Sequence, residues 1–259
     1  MANIEGTFIW YELLTPDIEA ATAFYCNVVG FSAEKMLVEG IAYKILSSCG
    51  RPTAAVLDVS AVDGVSRPLS GWIGYVAVKD VDETAARMTE LGVVVRQAPY
   101  DVAGIGRFAI VDDPQGAPIG LFAPLPGDAE RVQADPAAAG HVAWHELYTS
   151  DPHAALSFYD DALKWKGGQA FDMGPAGPYL VFSSGGWPTG GIMRRPPGMP
   201  GPLWSPFFHV GDIDAASRRV LADGGKVFDG PREVPDGGFT LKCLDNQGAV
   251  FALVGQKPS

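Results

Sequence analysis

Two glutamates occupy equivalent places in a stretch that this sequence contains twice. The segments IWYELLTPD (9–17) and AWHELYTSD (143–151) share the pattern Trp-x-Glu-Leu-x-Thr-x-Asp, and Glu12 and Glu146 interrupt otherwise apolar strands. A partly desolvated carboxylate has a raised pKa, which suits it to proton transfer as a general acid or base. Alternatively, each glutamate hydrogen-bonds within the protein and serves only the fold. Glu12 and Glu146 are therefore candidate catalytic residues with a structural alternative.

A histidine on a later strand is the third candidate for catalysis. His209 lies in WSPFFHVGDID (204–214), and alternate residues of a strand share one face. An imidazole titrates near neutral pH, so His209 could exchange protons with Glu146. The alternative is a core histidine whose hydrogen bonds are satisfied within the fold.

One arginine and a set of aromatic residues are candidates for ligand binding. Arg107, in GIGRFAIVDDP (104–114), could hold a ligand carboxylate or phosphate with its planar fork, or pair at the surface with Asp101 or Asp112. Aromatic walls are typical of sites for planar or amphipathic ligands, although the same rings could form core. The aromatic candidates are Trp10, Tyr43, Trp72, Tyr75, Trp144, Tyr179, Trp204 and Phe207.

The elements that position these residues come from an internal duplication. Residues 8–25 and 142–159 are identical at nine of eighteen positions, and later segments match at similar offsets, such as DPQGAPIGL (113–121) with DNQGAVFAL (245–253). Residues 124–140 are rich in Pro, Ala, Gly and charge without an apolar period, which is typical of a linker. We therefore predict domains at 1–125 and 138–257, joined by a linker at 126–137.

A second, weaker repeat divides each copy. An apolar strand runs into an Asp, as at Asp17 and Asp80, and a helical pattern follows that ends near a Gly. The Asp suits an N-cap and the Gly suits the residue after the helix. Short β-rich runs broken by Gly and Pro come next. The pattern predicts an α+β fold of four modules, each with one strand, one helix and three further strands.

The paired βαβββ unit, the D-x-x-x-A-x-x-F-Y helix and the DPxG turn resemble the glyoxalase, bleomycin-resistance and ring-cleaving dioxygenase group, the vicinal oxygen chelate (VOC) superfamily. The chain is most similar to a tandem two-domain branch that includes a mycobacterial glyoxalase-like antigen. The resemblance implies two glyoxalase-like domains in tandem. It does not decide function, because the superfamily contains lyases, epimerases, dioxygenases, thiol transferases and drug-sequestering proteins.

The resemblance also implies where a catalytic metal would be held. The corresponding positions in this chain are Trp10, Ile73, Trp144, Ser205, Gly120 and Ala252. These side chains are poor metal ligands or none at all, so we predict no metal and no other cofactor. A displaced site on Glu146 and His209 would lack a third ligand, because Phe122 and Val254 stand at the shifted last-strand positions.

Composition restricts the partners. A net charge of −11 disfavours nucleic acid and anionic membranes. Three widely separated cysteines suggest neither a disulfide framework nor a zinc site, which fits a reducing cytoplasm. No leader pattern and no apolar run of about 20 residues occurs, so a soluble protein is expected. We expect a monomer or homodimer whose partner is a small molecule.

Three functional hypotheses follow. The first is metal-independent binding of a small organic molecule in aromatic-lined cavities, as in bleomycin-resistance proteins. The second is a lyase or isomerase of glyoxalase type that uses Glu146, and His209 with it, as acid and base. The third is a metal-dependent glyoxalase or an extradiol-type dioxygenase.

Overall fold

The computed structural model describes residues 4–38, 41–59, 71–126, 138–235 and 237–258. Of the predicted linker 126–137, residues 127–137 lie outside the described part of the chain. The domain bounds 1–125 and 138–257 therefore stay a prediction. None of the helices in the described residues is long and apolar enough to cross a bilayer.

The elements repeat one order four times. The first module comprises β1 (Phe8–Thr15), α1 (Ile18–Val29), β2 (Ser32–Val38), β3 (Ile41–Ser48) and β4 (Arg51–Asp58). The second comprises β5 (Gly71–Ala77), α2 (Val81–Glu90), β6 (Val94–Val102), β7 (Gly106–Asp112) and β8 (Pro118–Pro124). The third comprises β9 (Val142–Thr149), α3 (Pro152–Leu163), β10 (Lys166–Asp172), β11 (Pro178–Ser184) and β12 (Trp187–Arg194). The fourth comprises β13 (Leu203–Asp212), α4 (Ile213–Ala222), β14 (Lys226–Glu233), β15 (Phe239–Leu244) and β16 (Val250–Gln256).

The strands form two mixed sheets of eight. Their orders are β2-β3-β4-β1-β5-β8-β7-β6 and β10-β11-β12-β9-β13-β16-β15-β14. Within each module the first strand pairs in parallel with the last, and the later strands pair antiparallel. The α+β class and the four βαβββ modules in two tandem sheets are confirmed.

Each helix begins at the aspartate that the sequence pattern indicates. Asp17, Asp80, Asp151 and Asp212 have extended backbone, and each side chain accepts a hydrogen bond from an N–H of the first helical turn. An N-cap of this kind satisfies donors that have no partner within the helix. The predicted capping is therefore confirmed in all four modules.

The residues group into two compact units that each combine one module from either copy. The first unit consists of Met1–Trp10, Ile73–Gln133 and Trp144–Trp204. The second unit consists of Tyr11–Trp72, Ala134–Ala143 and Ser205–Ser259. The second and third modules thus provide most of the first unit, and the first and fourth modules most of the second.

A buried hydrogen-bond chain organises the first unit. The Trp204 indole N–H donates to the Tyr159 hydroxyl (3.0 Å), which donates to Asp113 Oδ2 (3.0 Å). Asp113 Oδ1 accepts from the backbone N–H groups of Gln115 and Ala117, both at 2.9 Å, and so closes the DPQG turn. Burial raises the pKa of Tyr159, and the Asp113 charge raises it further. The tyrosine therefore stays protonated as a donor.

The second unit repeats this chain with its own residues. The Trp72 indole N–H donates to the Tyr25 hydroxyl (2.9 Å), which donates to Asp245 Oδ2 (3.1 Å). Asp245 Oδ1 accepts from the backbone N–H groups of Gln247 (2.8 Å) and Ala249 (2.9 Å). The repeated Phe-Tyr pair and the aspartate of the turn are therefore explained by packing.

The glutamine of each turn binds the start of a helix from the other copy. The Gln115 side chain accepts from the Asp151 N–H (2.7 Å) and donates to the Asp151 carbonyl (2.8 Å). Gln247 does the same at Asp17, at 3.0 and 2.9 Å. These bonds join distant parts of the chain, so each unit depends on both copies.

Candidate functional site

The alternation of β9 separates a core face from a face that carries Glu146. Leu147 is fully buried in the core beside α3, and the ring of His145 stacks on Phe8 with centroids 4.0 Å apart. Side chains of a strand alternate between its two faces, so Trp144, Glu146 and Tyr148 point to the opposite face. Residues two apart on a strand share a face, so Glu146 is expected on the same face as Trp144, and this arrangement agrees with that expectation.

Hydrogen bonds join Glu146 to its aromatic neighbours within the first unit. The Tyr148 hydroxyl donates to Glu146 Oε2 (2.6 Å), and the Tyr179 hydroxyl donates to Oε1 (3.1 Å). The Trp144 indole N–H donates in turn to the Tyr179 hydroxyl (2.8 Å). We call these four residues the Glu146 cluster. Each oxygen of the Glu146 carboxylate thus accepts a hydrogen bond from a tyrosine.

A glycine makes room for the tyrosine that reaches the carboxylate. In the sheet, β12 lies between β9 and β11, and Gly191 of β12 is the register partner of Glu146. A Cβ at Gly191 would overlap the ring of Tyr179, which comes from β11. The ring can thus cross the backbone of β12 only because position 191 has no side chain.

The cluster is buried at one end and open at the other. Glu146 and Tyr148 are 5% and 2% exposed, whereas Trp144 and Tyr179 are half-buried. Burial raises the pKa of Tyr179, and the adjacent Glu146 charge adds to this. Tyr179 therefore remains a protonated donor at neutral pH, and its ring and that of Trp144 form the accessible edge.

Sequence reasoning missed two members of this arrangement, Tyr148 and Gly191. Tyr148 lies two residues after Glu146 and so shares its strand face, which was a usable signal. The role of Gly191 depends on which strand lies between β9 and β11, and the sequence does not show the strand order.

The equivalent place in the first copy differs in two side chains. Glu12 is 9% exposed, and Trp10 and Tyr43 are half-buried, much like their counterparts. However, Leu14 stands where the second copy has Tyr148, and Ala55 is the register partner of Glu12. The first copy therefore has no counterpart of the Tyr148 hydroxyl at position 14 and no glycine at position 55, the equivalent of Gly191.

The other aromatic candidates lie in the core. Trp72 and Trp204 are each 3% exposed and give their N–H groups to the buried tyrosines of the helices. Tyr75 is fully buried against Gly120, and Phe207 is 1% exposed. These positions agree with the alternative that the rings are core.

Arg107 is engaged with two acidic side chains in the first unit. Its Nη2 donates to Asp82 Oδ1 (2.9 Å), and its Nη1 lies 2.9 Å from Asp101 Oδ2. The hydrogen bonds from Arg107 hold the pKa of Asp82 below its usual range. The arrangement matches the alternative of a surface ion pair, with Asp101 as anticipated and Asp82 instead of Asp112.

One ring nitrogen of His209, Nδ1, is buried and has no partner among the described residues. The backbone N–H of His209 donates to the His141 carbonyl (2.8 Å). His209 belongs to the second unit and Glu146 to the first. Their pairing as acid and base therefore stays a prediction.

The residues at the expected metal positions do not fit a metal. The ring of Tyr75 fills the space that a Gly120 side chain would need, and Ala252 is fully buried and apolar. Ser205 offers only a hydroxyl, which binds metals weakly. Trp10, Trp144 and Ile73 supply no suitable donor atom. Across the described ranges, no group of three or more His, Cys, Asp or Glu side chains could hold a metal ion.

The family follows from comparison with known proteins. The sequence model of the Glyoxalase/Bleomycin resistance protein/Dioxygenase superfamily matches residues 7–121 and 138–253. The chain belongs to this superfamily. The two matched segments correspond to the two eight-stranded sheets, so each copy is one superfamily domain.

Relatives within the superfamily match along nearly the whole chain. "Putative glyoxylase CFP32" of Mycobacterium tuberculosis is 30% identical, covering 98% of this chain and 96% of its own length. The anthracycline biosynthesis protein DnrV of Streptomyces peucetius is 31% identical, covering 96% and 93%. A variant of homoprotocatechuate 2,3-dioxygenase from B. fuscum has the same fold, with a TM-score of 0.68 and 17% identity over 97% of this chain and 71% of its own.

Proposed function

We propose that the protein binds a small organic molecule at the Glu146 cluster without the help of a resident metal. One observation carries the proposal: a buried carboxylate that accepts from two tyrosine hydroxyls lies next to the half-buried rings of Trp144 and Tyr179. Aromatic walls with a few convergent polar groups are typical of ligand sites. The residues at the metal positions offer no competing centre.

The chemistry of the cluster indicates what kind of ligand fits. The rings of Trp144 and Tyr179 suit a planar or apolar part of the molecule. The Glu146 carboxylate suits a ligand that carries an N–H or O–H donor or a positive charge. A relative is named as an anthracycline biosynthesis protein, and this supports a fused aromatic ligand with hydroxyl groups.

A titration with a dihydroxyanthraquinone tests the proposal. Quenching of tryptophan fluorescence would report binding, because Trp144 borders the site. Replacing a carboxylate that accepts a charged hydrogen bond costs about 1.5–3 kcal/mol. Glu146→Gln should therefore weaken binding roughly 10- to 100-fold. Glu12→Gln is the matched control in the first copy and should change it less than about 2-fold. A probe that bound all three proteins equally would contradict the proposal.

A second candidate function is a lyase or isomerase with Glu146 and His209 as acid and base. The observation in its favour is the buried Nδ1 of His209, which lacks a partner among the described residues. It predicts isomerisation of a hemithioacetal that survives EDTA and is lost in both Glu146→Gln and His209→Gln. Turnover that chelation abolished and a divalent metal restored would contradict both candidates and favour a metal-dependent enzyme.

We further propose that the protein acts in the cytoplasm as a monomer or homodimer, with domains at 1–125 and 138–257. Limited proteolysis should cut first within 126–137, since linkers are preferred sites of cleavage. Light scattering of the purified chain would give its oligomeric state. Rapid cleavage inside either matched domain would contradict these bounds.

A further inference from the structure

The first unit contains a cleft that the Glu146 cluster does not use. It lies between the DPQG turn and α3 and has a volume of about 280 Å³. Ligand pockets span about 300–1,000 Å³, so this cleft lies just below the lower end of that range and suits only a small ligand. Its lining residues are Leu91, Asp113, Pro114, Gln115, Ala154, Ala155, Phe158 and Asp161.

The lining combines apolar side chains with three polar ones, Asp113, Gln115 and Asp161. Ala155 and Phe158 of α3 are buried, and Leu91, 38% exposed, presents its side chain to solvent. Hydrogen bonds from Tyr159 and from the backbone of the turn already occupy both oxygens of Asp113. Asp161 is exposed, and among the described residues no cation pairs with its carboxylate, since the nearby Lys164 ammonium donates to the Asp161 backbone carbonyl (2.9 Å).

The equivalent positions in the second unit carry a polar link. Asn27, equivalent to Asp161, donates to Asp223 Oδ2 at 2.7 Å. Asp223 is equivalent to Leu91. Asn246, equivalent to Pro114, donates to the Ala20 carbonyl at 3.2 Å. In the second unit, hydrogen bonds thus join the two walls. In the first unit, the equivalent walls face each other across the cleft.

Three differences remove this link from the first unit. Leu91 cannot accept a hydrogen bond, and Pro114 has no side-chain donor to reach the helix. Asp161 stands where the second unit has the donor Asn27, whereas the bond from Arg87 to the Ala162 carbonyl recurs in the second unit as Arg219 to the Val28 carbonyl. Apolar side chains therefore remain in the first unit, and the Asp161 carboxylate at their edge has no partner among the described residues.

We propose that this cleft binds a small organic ammonium. The apolar part would lie on Phe158 and Leu91, and the cationic head would meet Asp161. Cation binding is favoured further by the net charge of −11, which attracts positive ligands to the surface. A neutral analogue would gain the apolar contact alone, and an anion would be repelled.

The test uses the full chain and a phenylbutylammonium probe, with phenylbutanol as the neutral isostere. The Glu146→Gln variant serves as background, so that binding at the Glu146 cluster does not contribute. We expect shifts of the backbone amides of α3 in NMR spectra and at least 5-fold weaker binding of phenylbutanol. Asp161→Asn should reduce the affinity for the ammonium to that of the alcohol.

A double variant rebuilds the link of the second unit. Leu91→Asp with Asp161→Asn places the same pair of groups at the cleft and should abolish binding without lowering the urea midpoint of unfolding. The reverse set, Asp223→Leu, Asn27→Asp and Asn246→Pro, should create a second site of similar affinity. The proposal is overturned if the ammonium and the alcohol bind equally, or if the double variant still binds the ammonium like the parent.

Discussion

A methyl group at position 191 should dismantle the Glu146 cluster. In Gly191→Ala the new Cβ would overlap the ring of Tyr179, which must then swing away from β12. The bond from Tyr179 to Glu146 and the bond from Trp144 to Tyr179 would both be lost. Each such bond contributes about 1 kcal/mol net, and overpacking costs about 1–3 kcal/mol. We expect the free energy of unfolding to fall by about 3–5 kcal/mol.

Urea denaturation followed by circular dichroism and tryptophan fluorescence measures this loss. The matched control is Ala55→Gly, which creates in the first copy the position that the second copy has. It should cost only about 0.5–1 kcal/mol, the usual effect of glycine in a strand. Affinity for the dihydroxyanthraquinone should fall at least 10-fold in Gly191→Ala and stay unchanged in the control.

A double-mutant cycle decides whether the cost comes from Tyr179. In a Tyr179→Ala background, Gly191→Ala should cost less than about 1 kcal/mol, because the obstructing ring is gone. An equal cost with and without the ring would refute the proposed role of Gly191.

Further predictions concern pH, the buried network and the surface. Burial lowers the pKa of His145 to about 4, so the unfolded chain takes up a proton below about pH 6.5 while the folded protein does not. Between pH 6.5 and 4 the free energy of unfolding should fall by about 3 kcal/mol more in the parent protein than in His145→Phe. Urea denaturation at each pH would measure this, and the same pH dependence in both proteins would contradict it. Tyr159→Phe should cost about 2–4 kcal/mol, because Asp113 and an indole N–H lose their partner; a loss under 1 kcal/mol would count against the network. Arg107→Ala should change the unfolding free energy by less than about 1 kcal/mol and leave probe affinity unaltered, since its ion pair with Asp82 is exposed; a 10-fold loss of affinity would restore Arg107 as an anion anchor.

The architecture could be predicted because its signals are local and occur more than once. A helix start depends on a few adjacent residues, so the pattern of Asp17 and Asp151 indicated the caps that the structure contains. The duplication indicated the same modules in both copies. The grouping of modules into units depends instead on contacts such as Tyr25 to Asp245, 220 residues apart, which have no local signature.

The site could be predicted only in part. Strand alternation predicts that Glu146 and Trp144 lie on one face of their strand. It also predicts that Trp204 faces the opposite way from its neighbour Ser205. Trp204 lies in the core, where its indole N–H donates to the hydroxyl of the buried Tyr159. The contact of Tyr179 across Gly191 could not be predicted, because it depends on strand order and side-chain direction.

The central claim is that recognition depends on the carboxylate of Glu146 and not on a metal. The most direct test is the ratio of dissociation constants for the dihydroxyanthraquinone in Glu146→Gln and Glu12→Gln, both dialysed against EDTA. A charge-assisted hydrogen bond lost in only one of the two variants predicts a ratio of about 10 or more. A ratio near one, or binding that EDTA abolishes in the parent protein, would contradict it.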